Sequence, residues 1–136
     1  MIKAILVDDE EHCRESLSIL LEEYCPQVQL LAACSSAKEA LQAIETLKPS
    51  LVFLDIEMPE MNGFEMLQQF KQLPFFVICT TGYDQYAVKA FHSSGLDYLM
   101  KPIDRYKLVA AVNKMQEQKH APLLVGFAKC NKHYSK

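Results

Sequence analysis

The chain has 136 residues, half of them apolar and 23% charged, with a formal net charge of -3 at pH 7. It fits one domain with a real core, and no apolar run approaches the length needed to span a membrane. Every acidic residue lies at or before Glu117, with Lys119, Lys129, Lys132 and Lys136 beyond it, so the body is acidic and a poor candidate for direct nucleic-acid binding.

Met1-Ile2-Lys3 leads straight into an apolar run and lacks the region order of a signal peptide, which points to a cytoplasmic protein. Five short apolar runs read as buried strands: IKAILV from Ile2, QLLAAC from Gln29, SLVFLD from Ser50, FFVICT from Phe75 and LDYLMK from Leu96. They are nearly continuous in hydrophobicity rather than alternating, the pattern of parallel strands covered on both faces.

Amphipathic stretches lie between them. Cys13, Leu17, Leu20 and Tyr24 follow one helical stripe. Ala37, Ala40, Leu41, Ile44 and Leu47 follow a second, opened by Ser36-Ala37-Lys38-Glu39 with capping-box spacing. Phe64, Leu67 and Phe70 suggest a short third helix after Asn62-Gly63. Asp84 is placed to cap an expected fourth helix carrying Ala87, Val88 and Phe91, and Asp104 an expected fifth carrying Leu108, Ala111, Val112 and Met115. Repeated strand–helix alternation with short joints predicts an open parallel α/β sheet with helices on both faces. The domain boundary is expected near residue 118, with 119–136 a C-terminal tail or the start of a linker to an output domain.

Five cysteines, Cys13, Cys25, Cys34, Cys79 and Cys130, form a scattered odd set with no C-x-x-C pair. They read as reduced small hydrophobes rather than a disulfide framework. Cys130 and His133 are spaced like half a metal site, and no second half follows.

Ligands of open α/β sheets bind beyond the carboxyl ends of the strands. Here strand one ends in Asp8-Asp9, strand three in Asp55, strand four in Thr80-Thr81 and strand five in Lys101. Each alone has an ordinary reading: an aspartate or threonine as a cap or turn former, a lysine as a solvated charge. Together they place three mutually repelling carboxylates, a hydroxyl and a compact cation on one rim. A hard cation such as Mg²⁺ relieves such crowding. Metal, lysine, hydroxyl and a spare nucleophilic carboxylate describe phosphoryl transfer to an aspartate. A dinucleotide enzyme is excluded at the first strand–helix turn, where Val7-Asp8-Asp9-Glu10-Glu11 has no glycine and would repel a pyrophosphate. A phosphate-binding glycine loop is missing too.

ILVDDE, LVFLDIEMPEMNGFE, CTTGYD and DYLMKP resemble the response-regulator receiver domain of two-component systems along residues 1 to about 118. TGYDQYAVKAF followed by LDYLMKPID is similar to receivers attached to LytTR-type DNA-binding domains. The resemblance implies a flavodoxin-like, doubly wound five-stranded sheet of order 2-1-3-4-5 in three α/β/α layers. It implies Asp55 as phospho-acceptor, Asp8, Asp9 and Asp55 as the Mg²⁺ site with Asp8 acting through water, and a backbone carbonyl of Glu57 on the metal. Lys101 would pair with the phosphoryl oxygens, with a cis bond to Pro102. Thr81 would be the switch hydroxyl and Tyr98 the switch aromatic, although Thr80 beside Thr81 makes that assignment ambiguous. Gly82 stands where the family often has alanine.

By the same resemblance the chain is a signalling switch rather than an enzyme, catalysing only its own phosphorylation and dephosphorylation. Its partner is a sensor histidine kinase. Output runs through the face of the fourth helical stretch, the fifth strand and the last helix, by homodimerisation or docking. Tyr86, Lys89, Phe91, Asp97 and Arg105 are the candidate contacts. DNA is reached only through a C-terminal output domain, with control of transcription as the expected result, and no membrane contact is expected. A receiver-like module that is never phosphorylated is the competing reading, and the complete acidic set with its lysine argues against it.

Overall fold

The computed structural model of the protein describes residues 1–82 and 96–118. The expected helical stretch from Asp84 to Phe91, with Tyr86 and Lys89, lies outside the described residues, as does everything from Lys119 onward, including Cys130 and His133.

Among the described residues the order is β1 (Ile2–Val7), α1 (Glu11–Tyr24), β2 (Val28–Cys34), α2 (Ala37–Leu47), β3 (Leu51–Asp55), α3 (Gly63–Leu67), β4 (Phe76–Thr81), β5 (Asp97–Met100) and α4 (Arg105–Gln118). The strands form one parallel sheet in the order β2-β1-β3-β4-β5. This is the expected flavodoxin-like arrangement. The expected strand limits agree within one residue.

Apolar side chains alternate between the two faces, and both faces are covered. Ile5, Val7, Val52, Leu54, Val77 and Cys79 pack with α2 and α3 through Ala37, Ala40, Ile44, Met66 and Leu67. Ala4, Leu6, Leu51, Phe53, Ile78 and Leu99 pack with α1 and α4 through Leu17, Leu21, Leu108, Ala111, Val112 and Met115. All five residues of β3 are buried, so the strand in the middle of the sheet reads as an unbroken apolar run. Each fully buried Leu or Ile contributes about 1.5–3 kcal/mol, which holds the carboxyl rim of the sheet in place.

Local signals set the element ends. Ser36 Oγ accepts the N–H of Glu39 at 3.1 Å and caps α2. The Glu39 carboxylate, however, reaches one residue further back, to the N–H and hydroxyl of Ser35. The complete capping box is on α3, where Asn62 and Glu65 exchange side-chain and backbone bonds. Asp104 caps α4 through the N–H of Lys107 at 3.0 Å. Leu21 is buried on α1 where Tyr24 was expected, and Leu47 of α2 is exposed. In β2 a bulge opposite Ala4 and Ile5 switches the inward face, so that Leu30 packs on one side and Ala32 and Cys34 on the other. α3 ends at Leu67, and Phe70 beyond it packs edge-on against Phe75 at 5.3 Å.

Gly63 is the tightest joint next to the rim. A Cβ there would lie 2.8 Å from the carbonyl oxygen of Asp55 and 3.1 Å from Cα of Ile56. Both obstacles are backbone, and Gly63 N–H already bonds the Ile56 carbonyl at 3.0 Å. Gly63→Ala is expected to destabilise the fold by about 1–3 kcal/mol, read as a lowered denaturation midpoint; an unchanged midpoint would show that the loop yields freely.

Candidate functional site

β1 stops at Val7, so Asp8 and Asp9 open the turn into α1. Asp8 is buried and Asp9 exposed. The turn is held by two bonds: Asp8 Oδ1 accepts the N–H of Glu10 at 2.9 Å, and Arg14 donates from Nη1 to the Asp8 carbonyl at 2.7 Å. A charged donor makes the second bond a strong one. Asp55, the last residue of β3, is buried, and its Oδ1 accepts the N–H of Glu57 at 3.2 Å.

Lys101 follows β5 and reaches back over the sheet edge. Its Nζ lies 2.8 Å from Asp8 Oδ2 and 3.5 Å from Asp55 Oδ1. One ammonium thus joins two buried carboxylates from two other strands. The Lys101–Pro102 bond is cis, as the resemblance implies.

The charges do not balance. Burial first, then the negative charge of Asp8, push the Asp55 carboxyl from an ordinary 3.8 to about 7. A side-chain hydrogen bond with Asp9 adds to the rise, while Lys101 and the Glu57 N–H oppose it without cancelling it. For Lys101, burial works against the charged form, but the hydrogen bond to Asp8 and the charges of Asp55 and Asp8 outweigh it and raise its pKa above the ordinary lysine range. Further acid lies at the rim: ligand oxygens of Asp8, Asp9 and Glu10 come within 4.8 Å of one another. Hard oxygen donors with a deficit of positive charge suit a small divalent cation, so the residues present fit the group that the sequence implies.

Glu10 is the member of this acidic cluster that the sequence reading did not single out. The signal was present as the third acid of Asp8-Asp9-Glu10, but it was read only as a barrier to pyrophosphate. The Glu57 side chain is exposed and, with Ile56, Met58, Pro59, Asn62 and Phe64, lines a groove of about 480 Å³ beside Asp55.

Thr80 and Thr81 end β4, both buried. Thr80 is the register partner of Asp55, and its carbonyl accepts the N–H of Ile56 at 3.1 Å. Thr81 pairs with Met100, and its carbonyl accepts the N–H of Lys101 at 2.8 Å. Strand alternation puts Thr81 on the face of Val77 and Cys79. Tyr98 packs on that same face and pairs with Cys79. Thr80 falls on the opposite face with Ile78. Among the described residues, nothing lies within 4 Å of where a Cβ on Gly82 would stand. The structure therefore brings Asp8, Asp9, Asp55 and Lys101 together, ties Glu57 and Thr81 to them through backbone, and places Tyr98 on the Thr81 face. Arg105, an expected surface contact, is exposed and lies against Tyr24 of α1. Its guanidinium stacks on the rings of Tyr24 and Tyr106 and donates to both hydroxyls at 3.0 Å.

Residues 4–113 match the family model of the response regulator receiver domain. The chain belongs to that family. An uncharacterized response regulatory protein of Vibrio cholerae is 42% identical over 117 residues, covering 85% of this chain and 45% of that protein. The transcriptional regulatory protein BtsR of Shigella flexneri is 38% identical over 121 residues, covering 88% of this chain and 50% of that protein. The chain thus spans about half the length of the curated relatives it matches. Among solved structures, a response regulator receiver domain protein from Clostridium thermocellum superposes with a TM-score of 0.74 at 27% identity, covering 88% of this chain and 97% of that one. Among the described residues of this receiver domain, no helix is long and apolar enough to cross a membrane.

With two buried carboxylates facing one ammonium, Asp55→Asn is expected to stabilise the metal-free receiver domain by about 1 kcal/mol at neutral pH, because it removes one of the repelling charges. Denaturant titration in the presence of a chelator measures it; a loss of stability would mean that the ion pairs outweigh the repulsion.

Proposed function

We propose that this receiver domain is a magnesium-dependent phospho-aspartate switch with Asp55 as acceptor. The observation that carries the reading is Lys101 joined at once to Asp8 and Asp55. A cation is thereby held where the oxygens of a phosphoryl group on Asp55 would lie.

The donor is the phosphohistidine of a sensor histidine kinase, in the cytoplasm. An Asp55 carboxylate oxygen attacks phosphorus in line, the N–P bond breaks, and the electron pair leaves with the histidine. Asp9 and Asp55, with a backbone carbonyl of Glu57 and with Asp8 acting through water, would hold Mg²⁺, which would neutralise the phosphoryl charge. Lys101 transfers part of its pairing from the two aspartates to a phosphoryl oxygen. Thr81 donates its hydroxyl to another. Because Thr81 shares a face with Tyr98, its movement changes the packing open to that ring. The catalysis is of the domain's own phosphorylation and dephosphorylation only.

Output follows from the changed face of the Asp84–Phe91 stretch, β5 and α4. A local electrostatic event of this kind biases a two-state surface by about 1–3 kcal/mol. The regulator acts on transcription through a DNA-binding domain C-terminal to the receiver, of LytTR type. Support comes from the TGYDQYAVKAF and LDYLMKPID stretches and from relatives about twice as long that are called transcriptional regulators. The domain boundary at residue 118 belongs to the same reading.

Two outcomes test it. Acetyl phosphate is expected to phosphorylate the protein in Mg²⁺ and not in chelator, and Asp9→Ala is expected to lose at least nine-tenths of the labelling rate; metal-independent labelling would overturn the proposed mechanism. Sedimentation with beryllofluoride is expected to show a partial shift to dimer that Lys89→Glu weakens. Identical monomer in both states would remove self-association as the output.

A further inference from the structure

The first turn of α1 carries a second cluster of metal-binding groups with a different chemistry. Glu10, His12 and Cys13 each direct one ligand atom into a common space, all within 4.8 Å of one another. One imidazole nitrogen, His12 Nε2, faces both others: it lies 3.6 Å from Glu10 Oε2 and 3.6 Å from Cys13 Sγ. Ligand atoms around a tetrahedral zinc, with bonds of about 2.0–2.3 Å, stand roughly 3.3–3.6 Å apart. The two spacings at His12 Nε2 are those of a zinc-type ligand set and are long for a strong hydrogen bond, and the Glu10 and Cys13 ligand atoms lie within 4.8 Å of each other.

Local backbone geometry explains why the three converge. Glu10 is the N-cap of α1, in extended conformation, and its carboxylate makes no capping bond. The first turn closes beneath it, with Cys13 and Arg14 N–H both on the Glu10 carbonyl at 3.1 Å. This brings the residue three positions on back under the cap. The Glu10 and His12 side chains are mostly exposed, so an ion can enter from solvent, and Cys13 is half-buried beneath them.

We propose that Glu10, His12 and Cys13 form a binding site for a zinc-class divalent cation, distinct in donor type from the oxygen site of Asp8, Asp9 and Asp55. Thiolate and imidazole select a borderline or soft metal, whereas the all-oxygen site beside it selects a hard one. Three protein donors leave a fourth position for water. As the sulfur–metal bond forms, the thiol proton leaves to solvent. Glu10 belongs to both clusters, so the two sites adjoin.

Cobalt(II) is the probe, because a thiolate ligand gives it an intense charge-transfer absorption that oxygen and nitrogen ligands do not. The reduced full chain is titrated with Co²⁺ in excess Mg²⁺, and Zn²⁺ is then added as competitor. The band is expected at one equivalent and is expected to vanish with Zn²⁺. Cys13→Ser should abolish it, and His12→Gln, on an exposed position that cannot threaten folding, should weaken Co²⁺ affinity at least tenfold. Cys130→Ser and Asp9→Asn should leave it in place. No thiolate band in the parent, a band indifferent to His12→Gln, or one that disappears with Cys130→Ser would overturn the proposal. The readout is metal binding alone, so its failure leaves the phosphotransfer reading untouched, and the reverse holds as well.

Discussion

The structure turns on one charge imbalance: two carboxylates, Asp8 and Asp55, buried at the carboxyl rim of the sheet against one half-buried ammonium, Lys101. Taking charges out of water costs several kcal/mol each, and a pair regains this only with close geometry and further hydrogen bonds. Asp8 has that geometry, at 2.8 Å from Nζ, and Asp55 is further off at 3.5 Å. The result is a raised Asp55 carboxyl, the least satisfied charge of the set. A surplus of buried negative charge of this kind is one that a bound divalent cation would offset, which is the physical basis of the switch proposed above.

Everything else in the fold serves to keep that arrangement from relaxing. Asp8 follows β1, Asp55 ends β3 and Lys101 follows β5, and β4 separates the last two strands in the sheet. No single helix or loop could bring them together. The register of the three parallel pairings from β1 through β3 and β4 to β5 does so, and the apolar cover on both faces fixes the register. The joints to the rim are tight in turn. Gly63 lets α3 approach the Asp55 carbonyl, Arg14 holds the Asp8 turn, and the Thr81 carbonyl holds the backbone of Lys101.

Much of this was legible in the sequence because its signals are strong and short-range. The apolar runs before Asp8, Asp55, Thr80 and Lys101 marked strand ends, and the α4 stripe of Leu108, Ala111, Val112 and Met115 is buried in full. Less legible were features that depend on a neighbour. The bulge in β2 is a property of pairing with β1, and QLLAAC gives no local sign of it. Leu21 rather than Tyr24 is buried, and Tyr24 stays at the surface, where the Arg105 guanidinium packs on its ring. Thr80 and Thr81 are indistinguishable as types; the resemblance favours Thr81, which begins T-G-Y-D, and strand parity puts Thr81 rather than Thr80 on the face of Tyr98. Glu10 and Cys13 were visible as residues, but their convergence on His12 needed the helix turn in three dimensions.

The central claim is that the buried, charge-strained carboxylate of Asp55 receives the phosphoryl group. An acyl phosphate can be trapped by borohydride, which reduces the modified aspartate to homoserine. The protein would be treated with acetyl phosphate and Mg²⁺, reduced, digested and sequenced by mass spectrometry. Homoserine at position 55, missing from a control without acetyl phosphate, is the result predicted. Homoserine at Asp8 or Asp9 instead, or none under conditions that phosphorylate the protein, would contradict the account.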